Sequence, residues 1–354
     1  MEKQSLPKKK PRRHLGESQS IVPPVTDNHF LRCADLILPW LDPRELASVS
    51  QTCKALSFIS RSLTLLRSLD AARSLEPLPV PFLNAVDSKR YADFLYTPFQ
   101  IPATSPLPPR HWWGSKSRTF IDSVNGRFEV SSLVDSDSMY GCECERCEEG
   151  YCECLAGTEE IANECGSGCG CGSDCPNRVT QKGISVRLKV VRDEKKGWCL
   201  CSDQLIKKGQ FICEYAGELL TTAEARRRQT IYDKLRSSTE RSFSSALLVI
   251  REHLPSGRAC LRLNIDATSI GNVARFINHS CDGGNLSTVL LRSAGALLPR
   301  LCFFAARDVV AGEELSFSYG DVRLAAPGKS AGDNELSCSC GSSCCFGTLP
   351  SENT

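Results

Sequence analysis

The chain has 354 residues, of which 41% are hydrophobic, and 43 basic against 41 acidic side chains. This length is enough for two or three compact units with at least one sizeable core. No run of about 18 apolar residues is present, and the basic amino terminus lacks the apolar stretch of a secretory signal, so neither membrane insertion nor export is indicated. The basic charge gathers in the first thirteen residues, which argues against a broad DNA-binding face and suits a basic substrate.

Residues 1–27 are rich in proline, lysine and serine and are predicted to form a disordered basic tail. Within the tail, the run Pro7-Lys8-Lys9-Lys10-Pro11-Arg12-Arg13 is typical of a nuclear-import signal, and its alternative is a tail that only increases solubility. The sequence therefore predicts a nuclear protein that works under reducing conditions.

Residues 28–75 carry hydrophobic side chains at spacings of three to five residues, which predicts a small amphipathic helical segment. The stretch from Leu38 to Lys54 resembles an F-box, the module that docks on Skp1-type adaptors of ubiquitin ligases. The alternative is a structural helical hairpin that packs on the rest of the protein. Residues 76–139, rich in proline in their first part, are predicted to be a linker and lead-in.

Residues 140–178 contain nine of the 21 cysteines, which predicts a metal-binding module because reduced thiolates at short spacing favour tetrahedral zinc. Nine thiolates satisfy three zinc ions if three of them bridge two metals each. The spacing closely resembles the pre-SET motif of the suppressor-of-variegation class of histone methyltransferases. The predicted ligands are Cys142, Cys144, Cys147, Cys152, Cys154, Cys165, Cys169, Cys171 and Cys175.

Residues 184–321 read as short strands separated by glycine and charged turns, with one helix that a Thr221–Glu224 capping box opens. Predicted strands are Ile184–Arg192, Trp198–Ser202, Phe211–Tyr215, Arg262–Asp266, Val289–Arg292 and Leu301–Ala305. This part of the chain is therefore expected to be mostly β.

Three segments within this part resemble the SET domain, in the right order. They are Lys196-Gly197-Trp198, then Phe211 to Glu218, then Gly271 to Cys281 together with Gly312 to Gly320. The resemblance implies that the last two stretches cross as a pseudoknot, and that S-adenosylmethionine is the methyl donor. It also implies that the donor is bound by Lys196, Gly197, Trp198, Asn278, His279 and Tyr319.

The resemblance further implies the roles of three aromatic residues. Tyr319 is expected to orient the amine and polarise the methyl group, Tyr215 to line the target-lysine channel, and Phe317 to set the room for a methylated amine. Cys281, Cys338, Cys340 and Cys345 resemble the post-SET zinc site of residues 336–350, with Cys344 as a spare thiol and residues 322–335 as a linker.

The sequence departs from the family pattern at several positions. Cys199 replaces a glycine, Ser318 replaces an aspartate, and Ala246 lies in a stretch that lacks a common tyrosine. Gly283-Gly284-Asn285 replaces a common Pro-Asn but retains the asparagine.

The predicted fold is mostly β with α: a SET-domain fold of small sheets with a pseudoknot, flanked by zinc-cysteine modules, plus the N-terminal helices. The family implies methyl transfer to a histone tail in chromatin, at lysine 9 of histone H3. Two alternatives are a catalytically weak chromatin-binding protein that keeps the SET shell, and a ubiquitin-ligase adaptor that acts through the F-box-like helices.

Overall fold

The computed structural model describes residues 29–103, 141–148, 152, 154, 162–166, 168–238, 244–253, 260–294, 296, 298–320 and 337–350. The predicted basic tail with its import signal, most of the second half of the predicted linker, and the 322–335 linker lie outside these residues. Among the described helices, none is long and apolar enough to cross a membrane.

Three helices and a short 3-10 turn open the described chain. They are α1 (His29–Ile37), the turn Leu38–Trp40, α2 (Pro43–Ser50) and α3 (Lys54–Leu69). Helix α2 begins where it does because Asp42 accepts from the backbone amides of Arg44 and Glu45, while Glu45 bonds back to the Asp42 amide. The helices enclose a small core of their own, formed by Ala34, Leu38, Leu46, Leu56 and Leu63.

A buried arginine of α3 fastens this helical segment to the rest of the protein. Arg67 is 2% exposed and donates to the Tyr91 hydroxyl at 3.0 Å and to the carbonyls of Pro39 and Leu41, each at 2.9 Å. Because a buried guanidinium needs such partners, α3 is held against the chain that follows it. The helices thus pack on the body of the protein, which agrees with the structural helical hairpin that was the alternative to an F-box.

Fourteen short strands are the main regular elements of the remaining described structure. They are β1 (Phe82–Leu83), β2 (Leu95–Tyr96), β3 (Ile101–Pro102), β4 (Ala162–Glu164), β5 (Leu188–Asp193), β6 (Gly197–Ser202), β7 (Phe211–Glu214), β8 (Gly217–Leu220), β9 (Leu247–His253), β10 (Cys260–Gly271), β11 (Asn278–His279), β12 (Leu286–Ser293), β13 (Arg300–Ala305) and β14 (Ser316–Phe317). The expectation that residues 184–321 are mostly β is confirmed for the described residues of this range.

The strands form four small sheets rather than one large one. Strand orders are β1-β5-β6, β2-β10-β8-β3 with β9 also on β10, β4-β12-β13-β7, and the pair β11-β14. The sheets bury a common core in which Ile212, Ile265, Ile277, Phe303 and Leu315 are almost completely excluded from solvent. This shared apolar core holds the four sheets together.

Residues 76–103 differ from the linker that the sequence predicted. Their strands β1, β2 and β3 pair in parallel with β5, β10 and β8, respectively. Phe82, Tyr96 and Ile101 are buried. The prolines did not prevent pairing because they flank two-residue strands or, as Pro102 does, lie on a strand at the end of a sheet.

Helix α4 (Thr222–Ser238) follows β8 and begins at the predicted capping residue. The Thr221 hydroxyl accepts from the Glu224 amide at 3.2 Å. The capping-box pattern predicts that the Glu224 carboxylate reaches back to Thr221. In the structure it pairs with Arg227 and Arg228 instead. Charge attraction to two arginines explains why it turns along the helix.

A buried ionic cluster joins the cysteine-rich module to strands β7 and β13. Arg300 on β13 lies 3.1 Å from Glu164 on β4 and 3.2 Å from Glu214 on β7. Glu164 also accepts from the amide and hydroxyl of Thr180 at 2.7 and 2.8 Å. Two carboxylates therefore share one guanidinium. Burial, acting against the attraction of Arg300, raises the pKa of Glu214 to about 7.

Because the pKa of Glu214 is raised, wild type is expected to lose stability as the pH rises. The variant Glu214→Gln is expected not to show this loss. An unfolded glutamate titrates near 4.5, so folded Glu214 holds its proton more tightly, and that contribution is lost as pH rises from about 5 to 8. The variant is expected to be more stable than wild type by roughly 2 kcal/mol at pH 8 and nearly equal at pH 5. Thermal unfolding of both proteins across this range measures the difference, and a difference independent of pH would contradict the assignment.

Candidate active site and metal centres

Two stretches far apart in the chain meet side by side. Strand β11 runs parallel to β14, with Asn278 opposite Ser316 and His279 opposite Phe317. Gly284, in the turn that follows β11, has a φ of +74°, and a side-chain Cβ there would lie 2.2 Å from the Ser316 carbonyl oxygen. The close crossing therefore requires glycine at this position.

Next to the crossing lies a continuous cluster of aromatic rings. The Tyr319 ring is 5.0 Å from Phe317 and 5.3 Å from His279, and Phe317 is 4.8 Å from Phe303. Phe303 in turn lies 6.4 Å from Tyr215. The structure thus brings together the three aromatic residues that were assigned catalytic roles. Phe303 was missed, although its position within a predicted strand was the available signal.

The hydroxyl groups of both tyrosines donate to backbone carbonyls. Tyr319 donates to Ile277 at 2.7 Å and Tyr215 donates to Ala246 at 2.8 Å. Burial is the main cause that raises the pKa of each phenol above its usual value. Both side chains therefore stay protonated at neutral pH, and each hydroxyl oxygen can offer only lone pairs to a further partner.

The polar residues expected to bind the methyl donor converge on Glu314. Its carboxylate lies 2.7 Å from the Lys196 ammonium and accepts from the Asn278 amide at 3.0 Å. The same amide group lies 3.4 Å from the Trp198 carbonyl oxygen. Glu314 was quoted in a motif but given no role, because its link to Lys196 across 118 residues is a tertiary contact.

The Lys-Gly-Trp turn is shaped by its glycine and its ring contacts. Gly197 has a φ of +87°, which an L side chain adopts with strain. The Trp198 ring packs edge-on against Phe82 at 5.2 Å and beneath the Arg192 guanidinium at 5.3 Å. An ammonium, a carboxylate, an amide and backbone carbonyls thus lie within hydrogen-bonding distance of one another. This donor set fits a zwitterionic amino-acid group such as the methionine part of S-adenosylmethionine.

His279 connects the crossing to the second cysteine group. Its Nδ1 accepts from the Tyr319 backbone amide at 3.1 Å, and its Nε2 lies 3.2 Å from the Cys281 sulfur. Because an amide N–H can only donate, the imidazole proton lies on Nε2 and faces the Cys281 sulfur. Burial lowers the pKa of His279, which agrees with a neutral ring.

Four cysteines from two separated segments form a candidate zinc site beside the crossing. Their sulfur atoms all lie within 4.8 Å of one another, and they belong to Cys281, Cys338, Cys340 and Cys345. Cys344 is exposed, with its sulfur 3.1 Å from the Ser342 hydroxyl. Four thiolates at this separation suit one tetrahedral zinc ion.

The nine cysteines of the first module form one compact cluster. Seven of them make up three overlapping groups of four, and Cys165 belongs to all three. Of the remaining two, Cys154 has its sulfur 3.7 Å from that of Cys169, and Cys144 interacts with Cys142 and Cys152. Sharing of thiols between groups is what a cluster of bridged zinc ions requires.

We expect about four zinc ions per chain, three in the first cluster and one in the second. Cys345→Ser is expected to lose one of them, because it removes a clustered thiolate, whereas the matched Cys344→Ser is expected to keep all four. Metal analysis by mass spectrometry measures both. One zinc ion or none in folded wild type, or equal zinc loss in the two variants, would contradict the assignment.

Comparisons with known proteins identify the class. Residues 197–320 match the SET domain family. The chain is 72% identical to histone-lysine N-methyltransferase SUVR3 of Arabidopsis thaliana, over 97% of both chains.

Two solved structures share the fold. One is Arabidopsis thaliana SUVH6 in complex with SAM, with a TM-score of 0.57 and 26% identity over 80% of this chain and 55% of that chain. The other is KRYPTONITE in complex with mCHH DNA, H3(1-15) peptide and SAH, with a TM-score of 0.56 and 26% identity over 79% and 53%.

The chain therefore belongs to the family of SET-domain histone-lysine N-methyltransferases. These comparisons lend no support to the F-box resemblance of residues 38–54 or to a Skp1-type adaptor as a partner. Residues 38–54 instead belong to the helical segment that packs on the body of the protein through Arg67.

Proposed function

We propose that this protein transfers a methyl group from S-adenosylmethionine to a lysine of the histone H3 tail, at lysine 9, in nuclear chromatin. The observation that carries the proposal is a pair of tyrosines, Tyr215 buried and Tyr319 partly buried, whose hydroxyl protons are committed to the carbonyls of Ala246 and Ile277, respectively. Complexes of structural relatives with SAM and with an H3 peptide support the cofactor and the substrate class.

The oxygen atoms of Tyr215 and Tyr319 are proposed to accept N–H bonds from the incoming lysine amine. A neutral amine held in this way points its lone pair along one direction, which is the requirement of an in-line displacement. Most of the rate enhancement is then positioning. A free lysine has a pKa near 10.4, so the aromatic walls around Phe317 and Phe303 favour its uncharged form by removing water.

S-adenosylmethionine supplies a methyl group on a positively charged sulfur. Lys196, Gly197, Trp198, Asn278 and His279 are proposed to hold it, together with Tyr319. Glu314 pairs with Lys196 and with Asn278, so it keeps both side chains on the same wall of the pocket. The ammonium of Lys196 suits the carboxylate of the donor, and the amide of Asn278 suits its polar amino-acid end.

The rival interpretation, a catalytically weak SET shell, rests on the departures from the family pattern, and each of them is accommodated locally. The Cys199 sulfur accepts from the Asn278 amide at 3.1 Å. The exposed Ser318 hydroxyl lies 3.2 Å from the Gly320 carbonyl oxygen. Ala246 contacts Tyr215 through its backbone, which any residue supplies. These contacts favour an active enzyme.

Incubation of the purified protein with labelled methyl donor and separate core histones tests the proposal. We expect label in histone H3, and loss of that label when lysine 9 of the histone is replaced by arginine. Absence of label in all histones would favour the weak-shell interpretation. If histone H3 is still labelled after the replacement, the proposed methyl transfer is supported and its assignment to lysine 9 is rejected.

Phe317 predicts the product state. It is 4% exposed, in ring contact with Phe303 and Tyr319, and a hydroxyl added there would hold the amine and hinder its rotation. We expect wild type to proceed beyond monomethyl-lysine and Phe317→Tyr to shift products toward monomethyl. Mass spectrometry of an H3 tail peptide after exhaustive reaction measures this. The control is Phe304→Tyr, which adds the same hydroxyl to the residue that follows Phe303 on β13. Equal product distributions for wild type and both variants would reject the role of Phe317.

A further inference from the structure

The orientation of Tyr215 depends on the backbone of a residue that contributes almost no side chain. The Tyr215 hydroxyl donates to the Ala246 carbonyl at 2.8 Å, and the Ala267 amide donates to the same oxygen at 3.0 Å. Both lone pairs of that carbonyl are therefore used. Any shift of the Ala246 peptide would move the acceptor and rotate the phenol.

The Ala246 peptide lies just before β9, whose ladder with β10 ends at the pair Leu247–Asp266. Beyond the end of the ladder, the Ala246 amide donates to the Thr268 side-chain hydroxyl at 2.9 Å. A side-chain hydroxyl thus takes the place of the next main-chain acceptor. Thr268 is partly buried, so this contact is sheltered from water.

Asp266 fixes Thr268 in turn. One oxygen of its carboxylate accepts from the Thr268 amide at 2.9 Å, and the other accepts from Arg228 at 2.8 Å and from the Tyr232 hydroxyl at 2.7 Å. Burial alone would raise the pKa of Asp266, but hydrogen bonds from Thr268, Tyr232 and Arg228 hold it below its usual value. The carboxylate stays charged and ties helix α4 to the strand that carries Thr268.

We propose that Thr268, held by Asp266, is a positioning residue for Tyr215: its hydroxyl fixes the Ala246 backbone and so directs the lone pair of the Tyr215 hydroxyl toward the target amine. The inference rests on the proposed methyl transfer. It explains why the sequence tolerates alanine at position 246, because the tyrosine is oriented by backbone and not by a neighbouring ring.

Contiguous contacts do not by themselves demonstrate coupling, so the test is a double-mutant cycle. Thr268→Val keeps the shape and removes the hydroxyl. We expect it to lower kcat by on the order of tenfold and to leave the dissociation constant of S-adenosylmethionine, measured by calorimetry, within twofold. Thr268→Ser is expected to restore kcat. In a Tyr215→Phe background, Thr268→Val is expected to change kcat by less than twofold.

The matched control is Thr230→Val on α4, since the exposed Thr230 hydroxyl bonds to the Arg226 carbonyl at 3.0 Å, away from Tyr215. It is expected to change nothing. The proposal would be overturned if Thr268→Val had the kcat of wild type. It would also be overturned if Thr268→Val lowered kcat as much in the Tyr215→Phe background as in wild type.

A readout independent of activity separates this inference from the proposed function. In protein carrying ring-labelled tyrosine, the Tyr215 nuclear magnetic resonance signal is assigned as the one lost in Tyr215→Phe. We expect Thr268→Val to shift that signal and Thr230→Val to leave it in place. If wild type proved inactive on histones, an unshifted signal would still reject the positioning role, and a shifted one would support it.

Discussion

Tyr319→Phe is expected to lose at least about 100-fold of the rate of methyl transfer while cofactor affinity stays within several-fold of wild type. The substitution removes one hydroxyl and little volume, so the ring contacts with Phe317 and His279 remain. The lost oxygen is the proposed acceptor for the amine, and the Ile277 carbonyl loses its 2.7 Å donor. Single-turnover kinetics with labelled donor measure the rate, and calorimetry measures cofactor binding.

Tyr91→Phe is the matched control for this variant. Tyr91 is also a buried phenol in a hydrogen bond, at 3.0 Å from Arg67, but it lies in the segment that anchors the N-terminal helices. We expect that variant to lower stability by about 1 kcal/mol and to keep its methyl-transfer rate. Turnover like wild type in Tyr319→Phe would remove Tyr319 from the mechanism, and an equal loss in both variants would point to damaged folding.

The raised pKa of Tyr319 adds a condition to this interpretation. Because burial keeps the phenol protonated, a role as phenolate base at neutral pH is disfavoured, and the hydroxyl acts by orientation. The rise of rate with pH should then follow deprotonation of the substrate amine and not of Tyr319.

The sequence predicted most of what is local. The six predicted strands overlap β5, β6, β7, β10, β12 and β13, because each is a short run that contains several apolar side chains. The residues grouped around Tyr319 were also found, since they lie in two continuous motifs. Composition and spacing carry such information directly.

What the sequence did not predict depends on tertiary contacts. Strands β1, β2 and β3 have two residues each, too few to show a period, and they exist because a longer strand lies beside them. Glu314 and Asp266 are single carboxylates whose partners come from other elements. Their roles follow from distances between side chains, which no spacing along the chain reveals.

The departures at Cys199 and Ala246 illustrate the same limit. In the sequence, each marks a place where a residue common in the family is absent, which argues against catalytic activity. In the structure the Cys199 sulfur bonds to the Asn278 amide, and the Ala246 backbone holds Tyr215. A substitution in a motif can thus be compensated by atoms that the motif does not contain.

Cys165→Ser is expected to have the largest effect on stability. Cys165 is completely buried and shared by all three groups of four thiols, and the Asn177 side chain donates to its sulfur at 3.5 Å. Serine oxygen is a poor replacement for a bridging thiolate, so we expect loss of most or all of the three zinc ions of this cluster. Structural zinc contributes on the order of 10 kcal/mol, and the melting temperature should fall by more than about 10 °C.

The damage should spread from the cluster into the SET sheets by a defined route. Strand β4 ends at Glu164, next to Cys165, and it pairs with β12 while Glu164 binds Arg300 on β13. Loss of zinc should therefore release β4 and leave Arg300 with Glu214 as its remaining carboxylate. Cys260→Ser, at an exposed thiol on β10, is the control and should keep its zinc and its melting temperature. Metal analysis, thermal unfolding and protease sensitivity of residues 141–178 measure these effects, and full zinc content with unchanged melting in Cys165→Ser would show that this thiol does not hold the cluster.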